Sequence, residues 1–168
     1  MKELTKRTLS GTLFVILLIT CIQHKYACIA LFYVFGLVCL TEFNKLIKQK
    51  SSASYLIFTS VFLLFAISEL LLNNAEIINQ VSQIFHVLSV FVNLFLIRDL
   101  FSSKELPNLI SNQFINTTFY ISSGFVFLIL IAFNFGNYNP QIILGIFLLI
   151  WTNDSFAYLI GKNFGKQK

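Results

Sequence analysis

Residues 141–161, QIILGIFLLIWTNDSFAYLIG, form an apolar run with one polar interruption near its middle. A helix needs roughly 20 such residues to cross the hydrocarbon core of a bilayer, and this run is long enough. The interruption, Asn153 to Ser155, lies inside the run rather than at its end. The stretch therefore predicts a membrane helix that carries polar chemistry.

The whole chain has the composition of a membrane protein. Its 168 residues are 57% hydrophobic and only 11% charged, with twenty Phe, whereas soluble domains have about 25% charged residues. The mean hydropathy is +0.78. The alternating pattern of barrel strands is absent, so the backbone must satisfy its own hydrogen bonds as helices. The expected fold class is all-α and polytopic.

Six apolar stretches divide the chain into about six transmembrane helices. They lie at roughly 8–23, 25–41, 54–72, 81–97, 118–135 and 141–161. The first two are short, but one helix through both would be about 50 Å long and would bury Gln23, His24 and Lys25. We therefore predict a hairpin of two helices at this point.

The distribution of basic residues predicts the orientation. Lys and Arg number three, one, three, none, two, none and three in the N-terminus, the five successive loops and the C-terminus, with Lys25 counted in the first loop. Cytoplasmic segments carry the excess of basic residues, so both termini are expected in the cytoplasm. The net charge of +5 then indicates contact with anionic membrane lipid, with no need for nucleic acid.

Two acidic residues lie inside apolar runs, and only one is deep. Glu69 is close to Asn73 and Asn74, where its carboxylate can reach the interface. Asp154 lies about 12 Å along the helix from Lys162, at a depth where a lipid-facing carboxylate costs about 2.5–3.5 kcal/mol. Asp154 therefore requires a polar cavity or partners.

Asp154 shares one helix face with several other residues of interest. At about 100° per residue, Tyr158, Gly161 and Gly165 fall within about 40° of it, with Lys162 at the flank. Gly161 and Gly165 form a GxxxG pair, which lets another helix approach closely. A helix-packing face flanked by interfacial lysines gives the same pattern, so spacing alone leaves both interpretations open.

The closing residues 154–168, DSFAYLIGKNFGKQK, resemble a family motif. The motif is D-[ST]-x-A-Y-x-x-G-x-x-F-G-K-x-K of the CDP-diacylglycerol synthases, or phosphatidate cytidylyltransferases. The residues at its fixed positions are Asp154, Ser155, Ala157, Tyr158, Gly161, Phe164, Gly165, Lys166 and Lys168. The preceding residues are compatible with this family but are not diagnostic of it.

The resemblance implies an activity and a role for each residue. The family transfers a cytidylyl group from CTP to phosphatidic acid, with Mg²⁺ as the expected cofactor, at the bacterial inner membrane. Asp154 would bind the metal and, with Ser155, belong to the catalytic site. The residues expected to bind substrate are Asn153, Tyr158, Lys162, Lys166 and Lys168, whereas Gly161 and Gly165 are expected to pack helices.

The resemblance covers only part of the family pattern. Family members continue with further membrane helices and an acidic signature near the C-terminus, which these 168 residues lack. We therefore expect an N-terminal portion of the enzyme that is inactive alone. The expected partners are membrane lipids, CTP, phosphatidic acid and further copies of the chain. A transporter with Asp154 as its ion site, or a scaffold without activity, are the alternatives.

Overall fold

A computed structural model describes residues 2–46, 48, 52–71, 76–101, 114, 116–133 and 137–165, and this part of the chain contains no strand. Its helices are α1 (Lys2–Ile22), α2 (Lys25–Leu46), α3 (Ala53–Leu71), α4 (Glu76–Phe101), α5 (Ser123–Ala132) and α6 (Pro140–Phe164). A π-helical segment, Asn116–Ser122, leads directly into α5. The expected all-α fold is therefore confirmed within the described residues.

The predicted hairpin at the N-terminus is also present. α1 ends at Ile22 and α2 begins at Lys25. The His24 amide donates to the carbonyl oxygen of Cys21 at 3.2 Å, which closes the turn. The polar residues that a single long helix would have buried are exposed in this turn.

Four helical stretches within the described residues are long and apolar enough to cross a membrane. They are Lys25–Leu46, Ala53–Leu71, Gln80–Arg98 and Pro140–Phe164. Two further apolar stretches, Leu9–Ile22 and Thr118–Ala132, are shorter than this criterion requires. Six spans and their orientation remain predictions.

The core forms where α2, α3 and α5 pack together. Phe58 and Phe62 of α3 are fully buried against α2, and Tyr33 stacks on Phe58 with ring centroids 5.9 Å apart. Gly36 allows this close approach, because a Cβ atom at that position would collide with the Phe58 ring. Since lipid tails are as apolar as these side chains, packing rather than water exclusion holds the helices together.

The π-helical segment contacts α2, α3 and α4. Its Phe119 carbonyl oxygen accepts hydrogen bonds from the Asn93 side-chain amide at 3.1 Å and from the Ser123 hydroxyl. Asn93 also donates to the carbonyl oxygen of Ser89 at 2.8 Å. These bonds link the π-helical segment to α4 and to the first turn of α5.

The start of α6 is held by a specific set of contacts. The Asn139 side chain accepts a hydrogen bond from the Gln141 amide at 3.1 Å, with Pro140 in the first turn, as is typical of a helix N-terminus. The Tyr138 hydroxyl donates to the carbonyl oxygen of Ile22 at the end of α1. Burial, with a hydrogen bond to Cys28, raises the pKa of the Tyr138 phenol. α6 is thereby attached to the α1–α2 hairpin.

Candidate functional site

The N-terminal half of α6 is packed against the core along one face. Ile143 is fully buried, and Phe147 lies against Phe32 with ring centroids 6.3 Å apart. The ring centroid of Trp151 lies 6.0 Å from that of Phe147, and Trp151 is partly buried. α6 contacts α5 and α1 through this half. The packed face therefore runs along Ile143, Phe147 and Trp151.

The C-terminal half of α6 is exposed, and it contains the motif. All side chains from residue 152 to residue 164 are exposed, including Asp154 and Lys162, and Tyr158 is 67% exposed. Among the residues that the structure describes, none forms an ion pair with Asp154. The motif residues are therefore accessible to a substrate or to further helices.

Asp154 lies on the continuation of the packed face. At about 100° per residue, Ile143 and Phe147 are each within about 20° of Asp154, and Tyr158 and Gly161 are within about 40°. From Phe147 onward, the positions 147, 151, 154, 158 and 161 follow the alternating spacing of four and three residues that marks a helix-packing seam. The motif therefore faces the direction in which α6 packs on its neighbours.

Ser155 and Asn153 do not share this face. Each is rotated by about 100° from Asp154, in opposite directions. Ser155 lines a shallow open groove on α6 together with Trp151 and Phe156. The structure thus separates the two expected catalytic residues, Asp154 and Ser155, onto adjacent sides of the helix, and Asn153 lies on a third side.

The two glycines differ in their setting. Nothing lies within 4 Å of a Cβ atom placed on Gly161, so this position is open to a partner. Gly165 is the C-cap of α6, and its amide donates to the carbonyl oxygen of Gly161 at 3.0 Å. A Cβ atom at Gly165 would collide with that same oxygen, so this glycine serves the helix end. Gly165 therefore lies at the end of α6 and not within it, and the helix-packing role of the two glycines stays a prediction.

Two of the three lysines of the motif, Lys166 and Lys168, lie outside the described residues. Lys162 is exposed in the last turn of α6, at the flank of the Asp154 face. A cation there complements the carbonyl groups at the helix C-terminus. It also gives this end of the helix a positive charge that favours anionic ligands.

The carboxylate content of the site is low. No group of three or more His, Cys, Asp or Glu side chains that could hold a metal ion occurs within the described ranges. The three cysteines are free thiols, and Cys28 is buried beside Tyr138. Asp154 is therefore a single acidic group on an accessible helix face.

None of the site residues predicted from the sequence lies in α2 to α5. The structure nevertheless places several polar side chains at the contact between α2 and α3. The Tyr33 and Thr59 hydroxyls lie 3.1 Å apart, and the Tyr55 hydroxyl donates to Thr41 at 3.4 Å. The sequence feature that could have indicated this contact is the pair Thr41 and Asn44. These residues are three positions apart and therefore lie on one side of α2. The pair was inconspicuous because isolated hydroxyls are common in membrane helices.

The described residues are helical, with several helices of membrane length and a polar motif at the end of the last one, and these features are those of a membrane protein. Residues 5–168 match the cytidylyltransferase family, which is the family to which this chain belongs. Membership indicates a nucleotidyltransferase that uses CTP in lipid synthesis. No curated protein and no solved structure matches the chain closely enough to be compared with it.

Proposed function

We propose that this chain is the N-terminal portion of a phosphatidate cytidylyltransferase of the bacterial inner membrane. The complete enzyme transfers the cytidylyl group of CTP to phosphatidic acid, giving CDP-diacylglycerol and pyrophosphate. The family match covers nearly the whole chain. The observation that carries the proposal is that Asp154 and Tyr158 continue the face along which α6 packs on the core.

The chemistry of the two substrates explains why the reaction needs a polar site at the membrane surface. Phosphatidic acid is held in the membrane, whereas CTP is soluble and highly charged, so their phosphates must meet in a polar region at the membrane surface. A phosphatidate oxygen attacks the α-phosphorus of CTP, the bond to the β-phosphate oxygen breaks, and pyrophosphate leaves. Lys162, with Lys166 and Lys168 in the same motif, attracts both anions to the end of α6.

Each motif residue then has a proposed role. Tyr158 is on the Asp154 face and orients bound phosphate through its hydroxyl. Ser155 and Asn153 form hydrogen bonds to substrate from the two sides of the helix. Because these two residues point away from each other, they contact different parts of the substrates or of the surrounding protein.

The described residues do not by themselves fit a magnesium site. Mg²⁺ prefers several oxygen ligands in octahedral geometry, and Asp154 is a single carboxylate with no acidic neighbour in the part of the chain that the structure describes. We propose Asp154 as one ligand of a site whose other ligands come from elsewhere. Further helices, or a second copy of the chain, would cover the same exposed face.

The proposed orientation places both termini, and hence the motif, in the cytoplasm with CTP. The distribution of basic residues supports it. Reporter domains fused after residues 50 and 104 should both report a cytoplasmic location, and one fused after residue 137 should report the opposite side. An external signal from either of the first two fusions would contradict this topology.

A transport function is the alternative, with Asp154 as an ion site. An ion path needs polar side chains along its length, and the largest buried side chains of the described core are mainly aromatic and aliphatic. Vesicles that contain the chain should therefore show no ion flux. A flux that Asp154→Asn abolishes would favour transport over cytidylyl transfer.

The reaction itself can be assayed in lipid vesicles with phosphatidic acid, labelled CTP and Mg²⁺. We expect no label in lipid with the 168 residues alone, because a site with a single carboxylate lacks most of the required electrostatic stabilisation. We expect labelled lipid when the chain is extended with the C-terminal segment of an active cytidylyltransferase. Turnover by the 168 residues alone would show that Asp154 and its neighbours suffice.

A further inference from the structure

The shallow groove that contains Ser155 runs along one side of α6. Its surface is mainly apolar and is formed by Leu148, Trp151, Phe156 and Leu159. Its volume is about 250 Å³, which is below the roughly 300–1,000 Å³ of a pocket that encloses a whole small-molecule ligand. The groove is therefore suited to a slender apolar segment and not to a nucleotide.

Trp151 separates this groove from the face of α6 that carries Asp154. At about 100° per residue, Trp151 lies about 60° from Asp154 and about 40° from Ser155, on the arc between them. Its ring packs against Phe147 in the first half of the helix, so this boundary is attached to the packed part of α6. The helix therefore has two adjacent binding surfaces, one acidic and one mainly apolar.

Two hydroxyl groups border the groove, and they differ in their hydrogen bonding. The Thr152 hydroxyl donates to the carbonyl oxygen of Leu148 at 2.6 Å, so it has no donor left for a ligand. The Ser155 hydroxyl has no hydrogen-bond partner within the residues that the structure describes. A hydroxyl without a partner is unfavourable in apolar surroundings. Ser155 is therefore available to a ligand that carries an acceptor oxygen.

The line of the groove leads to a positive charge. Lys162 is seven positions after Ser155, which places it within about 20° of Ser155 and about 10 Å nearer the end of α6. Lys162 is exposed, and no acidic side chain of the described part of the chain pairs with it. From Leu148 onward, this side of α6 thus presents an apolar surface, then a hydroxyl, then a cation.

We propose that this groove binds phosphatidic acid, with an acyl chain along Leu148 and Phe156, an ester oxygen at Ser155 and the phosphate at Lys162. The order of apolar, polar and cationic groups matches the order of acyl chain, ester and phosphate in that lipid. Its phosphate is a monoester, which carries more negative charge than the diesters of other membrane lipids and is attracted more strongly by Lys162.

This inference rests on the proposed function and extends it, because it assigns the two substrates to different sides of one helix. The lipid lies on the Ser155 side, and CTP lies on the side of Asp154. Both phosphates then meet near the end of α6, where Lys162 is about 80° from Asp154 around the helix. The separation of Ser155 from Asp154 becomes a way of keeping a lipid and a nucleotide apart until their phosphates meet.

Photo-cross-linking of the whole chain in phosphatidylcholine vesicles tests the groove directly. The probe is phosphatidic acid with a diazirine in one acyl chain, and mass spectrometry identifies the cross-linked residues. We expect saturable cross-links to Leu148, Phe156 and Leu159 that excess phosphatidic acid removes and that excess phosphatidylglycerol leaves in place. Val87 and Leu94, which are exposed on α4, form the control surface and should not show saturation.

Two results of this experiment would overturn the proposal. Cross-links distributed equally over α4 and α6 would show that the groove is an ordinary lipid-facing surface. Equal competition by phosphatidylglycerol would show that any anionic lipid occupies it.

Substitutions of the polar groups test the same site with the same probe. Ser155→Ala should raise the probe concentration at half-saturation about fivefold, which is the usual effect of one hydrogen bond. Lys162→Gln should raise it about twofold to fivefold. The matched control is Lys45→Gln, which changes an exposed lysine in the last turn of α2 and should leave half-saturation unchanged. Half-saturation at the parent value in both Ser155→Ala and Lys162→Gln would refute the assignment.

The cross-linking uses neither CTP nor turnover, so it can fail separately from the proposed reaction. Saturable cross-links in the groove, together with an extended chain that transfers no cytidylyl group, would refute the reaction and leave a site for phosphatidic acid. Cytidylyl transfer without saturable cross-links in the groove would refute the groove and leave the reaction.

Discussion

The two halves of α6 present the same face to very different surroundings. In the first half, Ile143 and Phe147 are packed against the core, and the Ile143 side chain is fully buried. In the second half, Asp154 and Tyr158 occupy the continuation of that face and are exposed. One helix therefore combines a structural half, which holds it in place, with a half whose polar residues are free to bind.

The difference bears on how α6 orients a carboxylate that lies inside an apolar run. A polar side chain within a membrane helix is expected to face the protein interior or a water-filled cavity. The first half of α6 is fixed by its packing and by the Tyr138 hydrogen bond to Ile22, so it sets the direction in which Asp154 points. The site depends on this orientation.

The largest effect is expected from Ile143→Ala compared with Ile150→Ala. Both changes remove the same atoms from one helix, but Ile143 is fully buried and Ile150 is 48% exposed. The cavity at position 143 should lower the free energy of unfolding by about 2–5 kcal/mol, whereas the change at position 150 should cost much less. Equal losses in denaturant titrations would mean that Ile143 is no more tightly packed than the exposed position 150.

A second comparison uses one glycine from the core and one from the motif half. Gly36→Ala forces a Cβ atom into the Phe58 ring, and such overpacking costs about 1–3 kcal/mol. Gly161→Ala meets nothing within 4 Å and should leave stability unchanged or raise it slightly, since alanine favours helix. Thermal unfolding of both variants measures this difference. A large loss from Gly161→Ala would place a hidden packing partner at position 161.

A smaller effect is expected from Tyr138→Phe, which keeps the ring contact with Phe133 but removes the hydroxyl. The lost hydrogen bond to Ile22 should lower the free energy of unfolding by about 1 kcal/mol. If Tyr138→Phe were as stable as the parent chain, the attachment of the first half of α6 to α1 would not depend on this bond.

The same residue gives a pH dependence of definite sign. The pKa of Tyr138 is raised in the folded protein, chiefly by burial, above its ordinary value of about 10. Its contribution is therefore fully present below pH 10 and is lost as the pH rises toward the folded pKa, because only the unfolded phenol ionises there. The parent chain should lose more stability above pH 10 than Tyr138→Phe, and equal losses would contradict this assignment.

Much of this architecture was predictable from the sequence. The lengths of the apolar runs predicted six helices, and the described residues contain six α-helices. The polar residues near His24 predicted the hairpin. Neither prediction requires knowledge of distant contacts. The start of the fifth apolar helix near residue 118 was predicted, but the π-helical form of its first turns was not, since Asn93 from another helix contributes a hydrogen bond there.

For the site, residue spacing predicted which residues share a face with Asp154, because helix geometry is regular. It could not predict that the core-packing face of α6 runs into the motif, since that requires knowing which side of α6 is buried. The motif suggested that Ser155 acts with Asp154, whereas the structure places them on different sides of the helix. Their catalytic roles stay predictions.

The central claim is that Asp154 acts in cytidylyl transfer, and its most direct test is the rate of label transfer from CTP to phosphatidic acid. The measurement uses the chain extended with the C-terminal segment of an active family member. Thr152→Val provides the matched control, since Thr152 is on the opposite face of α6 and its hydroxyl bonds to the carbonyl oxygen of Leu148 at 2.6 Å.

Asp154→Asn keeps the size of the side chain and removes its charge. We predict that it reduces the transfer rate by at least about 100-fold, as loss of one strong electrostatic contact does in other enzymes. Membrane insertion should be unchanged, and Thr152→Val should retain the parent rate. Transfer by Asp154→Asn at the parent rate would contradict the account, because Asp154 would then be a structural residue of the α6 face.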